Sequence, residues 1–528
     1  ADPTGNTNTL STATDNSVTY DSTGLGVTIN QHDGVDVGTC TGIPAQTDPT
    51  NAMINFKVAF SEAINPSTFE TSDITNAGSG GGSTLNWSIQ SCGDDQNFVI
   101  STTAITGDGT IIPSLGAGVV SDTTGNTNYL STDTDNTVTF DTTEPSVAIN
   151  QHDGVDVGTC TGIPTQTDPT NAMINFKVAF SEAINPSTFE TSDITNAGSG
   201  GATALNWNVQ NCGDDQNFVI STTTITGDGT IIPSLAAEVV ADPTGNTNTL
   251  STATDNSVTF DSTGLGVTIN QHDGVDVGTC TGIPAQPDPT NAMINFKVAF
   301  SEAINPSTFE TSDITNAGSG GATALNWSIQ SCGDDQNFVI STTTITGDGT
   351  IIPSLAAGVV ADPTSNTNTL STATDNSVTF DSIGPSVTIN QHDGVDVGTC
   401  TGIPAQTDPT NAMINFKVAF SEAINPSTFE TSDITNAGSG GATALNWSIQ
   451  SCGDDQNFVI TTTAITGDGT IIPSLGAGVV SDTTGNTNYL STDTDNTVTF
   501  DTTEPSVAIN QHDGVDVGTC TGIPTQTD

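Results

Sequence analysis

The sequence repeats itself with a period of 120 residues, which can be read directly from its cysteines. One set of cysteines shares a frame, at Cys40, Cys160, Cys280, Cys400 and Cys520. A second set follows the first by 52 residues, at Cys92, Cys212, Cys332 and Cys452. The tryptophans and histidines keep the same step. Because 528 residues exceed what one hydrophobic core can hold, we expect each copy of the repeat to fold as one domain.

The repeat predicts the domain boundaries. Four whole copies fit into the chain, at 25–144, 145–264, 265–384 and 385–504. Residues 1–24 nearly match 241–264, which predicts the C-terminal part of a further copy. Residues 505–528 match 145–168, which predicts the N-terminal part of another. We therefore expect the natural array to continue in both directions.

The copy at 145–264 has the pattern of a β-protein. Its segment 172–180 alternates between apolar and polar side chains, as a half-buried strand does. Further strand candidates, separated by turns rich in Gly, Asn, Asp and Pro, are 146–149, 204–210, 217–223, 230–240 and 257–260. Six or seven short strands in about 110 residues predict a β-sandwich.

A series of short motifs recurs in the same order in the copies. In the copy at 145–264 they are Asp168-Pro169-Thr170-Asn171, Phe176 to Glu182, Phe189, Ser192-Asp193-Ile194, Asp242-Pro243-Thr244-Gly245-Asn246 and Val258-Thr259-Phe260-Asp261. This order resembles the bacterial Ig-like tandem repeats of giant surface adhesins and biofilm-associated proteins, over nearly the whole chain. The resemblance implies an all-β array of seven-stranded Ig-like sandwich domains, stacked end to end and secreted. It also implies calcium at or near domain junctions, as in several family members.

The cysteines depart from the pattern of antibody domains, which place a core Trp between two strand cysteines. Here Cys160 precedes the clearest strand, and Trp207 lies five residues before Cys212. The pair looks like an added staple between the loop 151–168 and the strand that ends at Cys212. We interpret Trp207 as a core residue, because it alternates with Leu205 and Val209.

The even number of cysteines in each whole copy predicts one disulfide per copy in an exported chain. The predicted pairs are Cys40–Cys92, Cys160–Cys212, Cys280–Cys332 and Cys400–Cys452. Cross-links between copies or chains, and a metal site, are the alternatives. Zinc is disfavoured because no Cys-x-x-Cys occurs, and covalent haem is disfavoured because no Cys-x-x-Cys-His occurs. Cys520 has no predicted partner within the sequence.

Charge excludes several classes of partner. Acidic residues outnumber Lys and Arg by 59 to 4, for a formal charge of −55. The basic side chains are Lys57, Lys177, Lys297 and Lys417. No basic patch can form from one Lys per copy, so nucleic acid is excluded, and an anionic membrane would repel the chain. Such self-repulsion fits a salty, calcium-containing exterior, because salt and bound cations offset it.

Hard cations are the partners that this composition favours, because calcium prefers carboxylate and amide oxygens. Our candidate ligands are the junction residues Asp141, Asp261 and Asp381 and, in the loop 242–248, Asp242 and Asn246. By the resemblance, Glu182 and Asp193 join them. The loop 153–156 is a further candidate. The alternative is that these Asp-Gly and Asp-Pro pairs are turn formers that need no metal.

No pattern indicates catalysis. His152, Asp153 and Asp156 could be drawn as a catalytic or metal-binding cluster, but we interpret them as a turn that contains a His. No nucleophile elbow, phosphate loop or dinucleotide fingerprint occurs. We therefore expect a structural, extracellular, bacterial filament or stalk of a surface adhesin, and not an enzyme. Neighbouring copies would be its partners. The alternatives are a self-assembling multichain fibre or sheath and a repeated module that binds a glycan or a surface.

Overall fold

The computed structural model describes residues 3–7, 9, 12, 14–15, 17–201, 204–321, 324–441, 444–512, 518–519 and 521–522. Cys520, which had no predicted partner, lies outside these residues. The chain divides into two compact units, Ala1–Thr263 and Gly264–Asp528. The described residues form two hydrophobic cores in each unit.

Within its described residues, every whole copy of the repeat forms eight strands. The first has β1 (Val27–His32), β2 (Asn55–Phe60), β3 (Ile74–Asn76), β4 (Leu85–Ser91), β5 (Asn97–Ile105), β6 (Gly109–Ile111), β7 (Pro113–Leu115) and β8 (Val138–Phe140). The second has β9 (Val147–His152), β10 (Asn175–Phe180), β11 (Ile194–Asn196), β12 (Leu205–Asn211), β13 (Asn217–Ile225), β14 (Gly229–Ile231), β15 (Pro233–Leu235) and β16 (Val258–Phe260).

The same eight strands follow in the second unit. The third copy has β17 (Val267–His272), β18 (Asn295–Phe300), β19 (Ile314–Asn316), β20 (Leu325–Ser331), β21 (Asn337–Ile345), β22 (Gly349–Ile351), β23 (Pro353–Leu355) and β24 (Val378–Phe380). The fourth has β25 (Val387–His392), β26 (Asn415–Phe420), β27 (Ile434–Asn436), β28 (Leu445–Ser451), β29 (Asn457–Ile465), β30 (Gly469–Ile471), β31 (Pro473–Leu475) and β32 (Val498–Phe500).

Short 3₁₀ helices of three residues precede the third strand of each copy. Their bounds are Pro66–Thr68, Thr71–Asp73, Pro186–Thr188, Thr191–Asp193, Pro306–Thr308, Thr311–Asp313, Pro426–Thr428 and Thr431–Asp433. An Asn caps the first helix of each pair, as Asn185 does by accepting a hydrogen bond from Ser187 N at 3.2 Å.

The topology within each copy is that of an Ig-like sandwich. In the second copy, one antiparallel sheet has the order β9-β10-β13-β12, which is the A-B-E-D order of a constant-type Ig domain. The facing strands pair as β11-β15 and β14-β16, which is the C-F-G set with its F strand in two parts. The predicted all-β class and its tandem Ig-like sandwiches are therefore confirmed.

One core lies between the two sheets of the second copy. The alternation predicted for 172–180 is observed, since Phe176 and Val178 of β10 are fully buried. They pack in one cluster with Ile231 of β14 and Val258 of β16. Phe180 makes edge-to-face contacts with two other phenylalanines, with centroids 5.8 and 6.0 Å away.

The first strand of the copy has a second partner on its outer edge. The segment 249–255 runs parallel to β9, with hydrogen bonds from Ile149 N to Thr252 O at 2.8 Å and from Thr252 N to Val147 O at 2.9 Å. Gln151 N continues the series to Asp255 O at 2.8 Å. The N-terminal strand is thus bound in parallel to the segment that precedes the C-terminal strand.

A long loop, residues 153–168, which we call the strap, crosses the outer face of the four-stranded sheet. Cys160 of the strap pairs with Cys212, which follows the edge strand β12. Lys177 on β10 donates to Cys160 O at 3.5 Å, so the one cation of this copy holds the strap. Val219 of β13 lies outside the core cluster, yet it is fully buried. The strap therefore adds a third layer over part of the sandwich.

Two strand predictions needed revision. The segment 230–240, predicted as one strand, contains β14 and β15, because the chain changes partner from β16 to β11. The strand β11 was not predicted, since its three residues carry too little alternation to be recognised. It forms because Ile194 inserts into the core opposite Leu235.

Candidate metal centre

Three carboxylates from two successive copies converge in the first unit. Asp141 directly follows β8 of the first copy, whereas Glu182 follows β10 and Asp242 follows β15 of the second copy. One oxygen from each carboxylate lies within 4.8 Å of the others. Oxygens that share one Ca²⁺ at about 2.4 Å are at most about 4.8 Å apart, so the spacing suits a single ion.

The loop 242–246 is built to present Asp242. Asp242 Oδ1 accepts hydrogen bonds from Thr244 N and Thr244 Oγ1, both at 2.8 Å, and from Asn246 N at 2.9 Å. This is an Asx turn, in which a carboxylate replaces a backbone acceptor. The side chain is only 3% exposed, so its position is fixed by the fold.

Asn246 joins the two copies. Its Nδ2 donates to Asp141 O at 3.1 Å and to Asp242 Oδ2 at 2.9 Å, while its Oδ1 accepts from Asn51 Nδ2 of the first copy at 3.0 Å. The amide nitrogen thus donates to the Asp242 carboxylate and to the main-chain carbonyl of Asp141. Asn246 links the loop of the second copy to the end of the first copy, and its role as a calcium ligand stays a prediction.

Electrostatics make the group unfavourable without a cation. Glu182 Oε1 is buried and has no hydrogen-bond partner. Burial raises the pKa of Glu182, and the charges of Asp141, Asp242 and Asp108 raise it further. A buried carboxylate oxygen without a donor is costly, and a hard cation would satisfy it.

Asp108 is a member of this neighbourhood that the sequence did not reveal. It lies between β5 and β6, and its Oδ1 accepts from Thr142 N at 2.9 Å. Its Oδ2 accepts from Thr143 Oγ1, and this hydrogen bond lowers the pKa of Asp108. Asp108 lies in a repeated Gly-Asp-Gly motif, which belongs to the turns rich in Gly, Asn, Asp and Pro that separate the predicted strands.

Equivalent groups occur elsewhere within the units. The first unit also contains Asp21, Glu62 and Asp122, and the second unit contains Asp381, Glu422 and Asp482. Burial raises the pKa of Asp122, but hydrogen bonds from Asn126 and Thr124 outweigh it and lower this pKa to about 2. Burial also raises the pKa of Glu422, as do the charges of Asp381, Asp482 and Asp348.

The remaining predicted ligands lie in other settings. Asp193 ends the 3₁₀ helix Thr191–Asp193, and its Oδ2 accepts from Glu190 N at 2.8 Å. It caps this 3₁₀ turn and is not in the group with Asp141, and its role as a calcium ligand stays a prediction. Asp261 follows β16, donates from its N to Thr170 O at 3.0 Å, and accepts from Thr263 N at 3.1 Å.

The eight cysteines of the whole copies lie in pairs. The bonded pairs are Cys40–Cys92, Cys160–Cys212, Cys280–Cys332 and Cys400–Cys452, with Cα atoms 5.5 to 5.6 Å apart. Each bond joins the strap, or its equivalent in another copy, to the end of an edge strand. This is the staple that the cysteine positions suggested.

His152 is a structural residue at the base of the strap. Its side chain is 1% exposed, and its Nδ1 accepts from Gly154 N at 3.0 Å. Its Nε2 is buried without a hydrogen-bond partner, so the neutral ring carries its proton there. Burial lowers the pKa of His152, and Lys177 lowers it further, against the opposing charge of Asp153.

Fold and site together define an all-β tandem-repeat protein with carboxylate groups that could hold metal ions. In the described part of the chain, no helix has the length and apolar character to cross a membrane. Comparison with known protein families finds no match, and no curated protein matches the chain.

Solved structures that resemble the chain include surface proteins. FdeC, an Escherichia coli adhesin, is 11% identical, with a TM-score of 0.26, over 68% of this chain and 98% of its own. The surface layer protein SbsC, domains 1–6, is 12% identical, with a TM-score of 0.16, over 86% of this chain. A second SbsC structure gives the same identity and TM-score. The chain spans 65% and 64% of these two SbsC structures.

Proposed function

We propose that this chain is a load-bearing segment of a bacterial extracellular filament or stalk, of the kind that a surface adhesin uses to gain reach. The observation that carries the proposal is the parallel pairing of β9 with the segment 249–255. Tension on the two ends of a copy reaches β9 from its N-terminal side and the segment 249–255 from its C-terminal side, through β16, so it pulls the two in opposite directions along their length. The hydrogen bonds between them are then loaded together in shear instead of being opened one after another.

The disulfide and the strap support the same role. Cys160 and Cys212 enclose β10, β11 and β12, so these strands cannot be drawn out while the bond is intact. A disulfide also persists in an oxidising exterior and is rare in cytosol. The disulfides and the high negative charge therefore favour a location outside the cell.

We further propose that calcium binds the group of Asp141, Glu182 and Asp242 and couples the two copies that supply it. The carboxylate spacing and the buried, unpartnered Glu182 Oε1 support this ion. Bound calcium would neutralise part of a local charge that otherwise repels itself. The partners implied are neighbouring copies of the repeat.

The test compares the chain with calcium and with a chelator. Calcium removal is expected to lower the melting temperature and to broaden the distribution of intramolecular distances in small-angle X-ray scattering. Replacing Glu182 and Glu422 by Gln should reduce the number of Ca²⁺ ions bound in calorimetry by two, because each unit loses one acid from a described group.

The matched control replaces Asp215 and Asp455 by Asn. It removes the same charge from exposed loop positions, outside every candidate calcium loop, whose φ of 54° and 51° Asn tolerates. This control should keep the full calcium stoichiometry. Unchanged melting and scattering in chelator would remove calcium from the proposal, and easy strand-by-strand opening under force would contradict the load-bearing role.

A further inference from the structure

A groove opens at the free edge of the sandwich in three of the copies. In the third copy it lies between β19 and β20 and has a volume of about 650 Å³. The equivalent grooves of the fourth and second copies measure about 1030 and 690 Å³. These volumes are comparable to those of ligand pockets, about 300–1,000 Å³, and because the grooves are open to solvent each has room for one face of a small ligand.

The groove exists because neither bordering strand has a neighbour on that side in the described sheets. The strand β20 is the edge of the sheet β17-β18-β21-β20, and β19 pairs only with β23. Trp327 on β20 contacts Phe296 of the core edge to face, with centroids 6.2 Å apart. At the edge this Trp is only half-buried, so the rest of its indole lines the groove.

A β-bulge shapes the same place. The register between β20 and β21 shifts between Asn326 and Trp327, which leaves Thr343 as an extra residue on β21. Bulges change the direction of side chains and are frequent beside binding sites. Here the bulge brings the amide of Asn326 and the indole of Trp327 to the same groove.

The lining is polar but uncharged. Its hydroxyl and amide groups include Thr311, Ser312 and Asn326, and its apolar surface is that of Ile314, Leu325 and Trp327. Among the described residues, no Asp, Glu or Lys lines the groove, although the chain carries 59 acidic residues. A ligand for this surface is therefore neutral, has many hydroxyl groups and has one apolar face for the indole.

We propose that each groove binds a neutral saccharide, with the C–H face of a sugar ring against the Trp and its hydroxyls on the amide and hydroxyl side chains. A single open groove binds weakly. Several copies in one chain add avidity toward a polymeric glycan, because later contacts form at a high effective concentration. This ligand-binding role is additional to load bearing and does not depend on it.

The tryptophans provide a direct assay. The chain has four Trp residues, one per copy, and three of them line the described grooves. The full chain is titrated with a panel of neutral and acidic oligosaccharides while its Trp fluorescence is followed. Neutral members should shift or quench the emission with millimolar affinity, and acidic members should not.

Substitutions then locate the site. Replacing Asn206, Asn326 and Asn446 by Ala should weaken binding about threefold to tenfold, the effect of one lost hydrogen bond. Replacing Gln210, Gln330 and Gln450 by Ala is the control, because these exposed residues lie on the same strands outside the groove. The proposal is overturned if no neutral saccharide responds up to about 10 mM, if both variants lose affinity equally, or if only an extended peptide added as a strand to β20 binds.

Discussion

The disulfide predicts how far one copy of the repeat extends under force. With the bond intact, the 52 residues from Cys160 to Cys212 contribute only their Cα–Cα distance of 5.6 Å to the stretched chain. Freed, they would contribute about 3.4 Å each, so the loss of the bond lengthens the extended copy by about 170 Å. The change is large compared with the length error of force spectroscopy on single molecules.

The experiment replaces Cys160 and Cys212 by Ser in the second copy alone and stretches the full chain. The other three whole copies retain their bonds and serve as internal standards. We expect three equal length increments and one that is longer by about 170 Å. The altered copy should also unfold more readily, because closing such a loop contributes about 4 kcal/mol in the chain-entropy model.

Four equal increments would refute the reasoning, since the pairing of Cys160 with Cys212 would then place no limit on extension. One large increment for several copies together would refute the prediction that each copy folds as its own domain. Adding a reductant to the unaltered chain is an independent check, because it should lengthen every increment by the same amount.

Three further predictions concern stability. The buried Asn248 accepts hydrogen bonds from Val239 N and Val240 N and donates to Ala236 O and Thr249 O. Replacing it and its equivalents by Ala should therefore lower the free energy of unfolding of each copy by roughly 3 kcal/mol in urea unfolding. The four positions are Asn128, Asn248, Asn368 and Asn488. Acidification below about pH 6.5 should lower the melting temperature, because the pKa of His152 is lower in the folded chain, so the unfolded chain binds a proton more readily. Replacing His152 and its equivalent in each whole copy by Gln should make the melting temperature less dependent on pH. In chelator, Glu182→Gln should raise the melting temperature at pH 7, because the raised pKa of Glu182 means that its charged form destabilises the folded chain. A lower melting temperature of the variant would contradict the repulsion between Glu182 and the neighbouring carboxylates.

Local pattern was sufficient for much of the fold. The alternation at 172–180 identified β10 and its core face, because in a strand with one buried face every second residue is apolar. Cysteine spacing identified the pairs that the structure contains, since an even count within an exported unit leaves few connectivities. The strand β11 and the division of β14 from β15 were missed, because pairing partners across the sandwich decide both.

The candidate site was less predictable. Asp141, Glu182 and Asp242 were suspected singly, from the preference of calcium for carboxylates and from the family resemblance. Their meeting, the donor role of Asn246 and the proximity of Asp108 depend on contacts between residues such as Asn246 and Asp141, which are 105 positions apart. A local sequence pattern cannot predict a contact between residues so far apart in the chain.

By itself, the sequence determined the period, the all-β class, the excess of negative charge and the residue types available for binding, because these are properties of composition and short-range order. The tertiary structure decided which side chains lose contact with water and which meet. Burial keeps the His152 ring neutral at the start of the strap, and it leaves one carboxylate oxygen of Glu182 without a hydrogen-bond partner. Because β19 and β20 are edge strands of the two sheets, a groove lies between them and Trp327 lines it. These outcomes depend on packing between distant segments, because a side chain's environment is set by its neighbours in space.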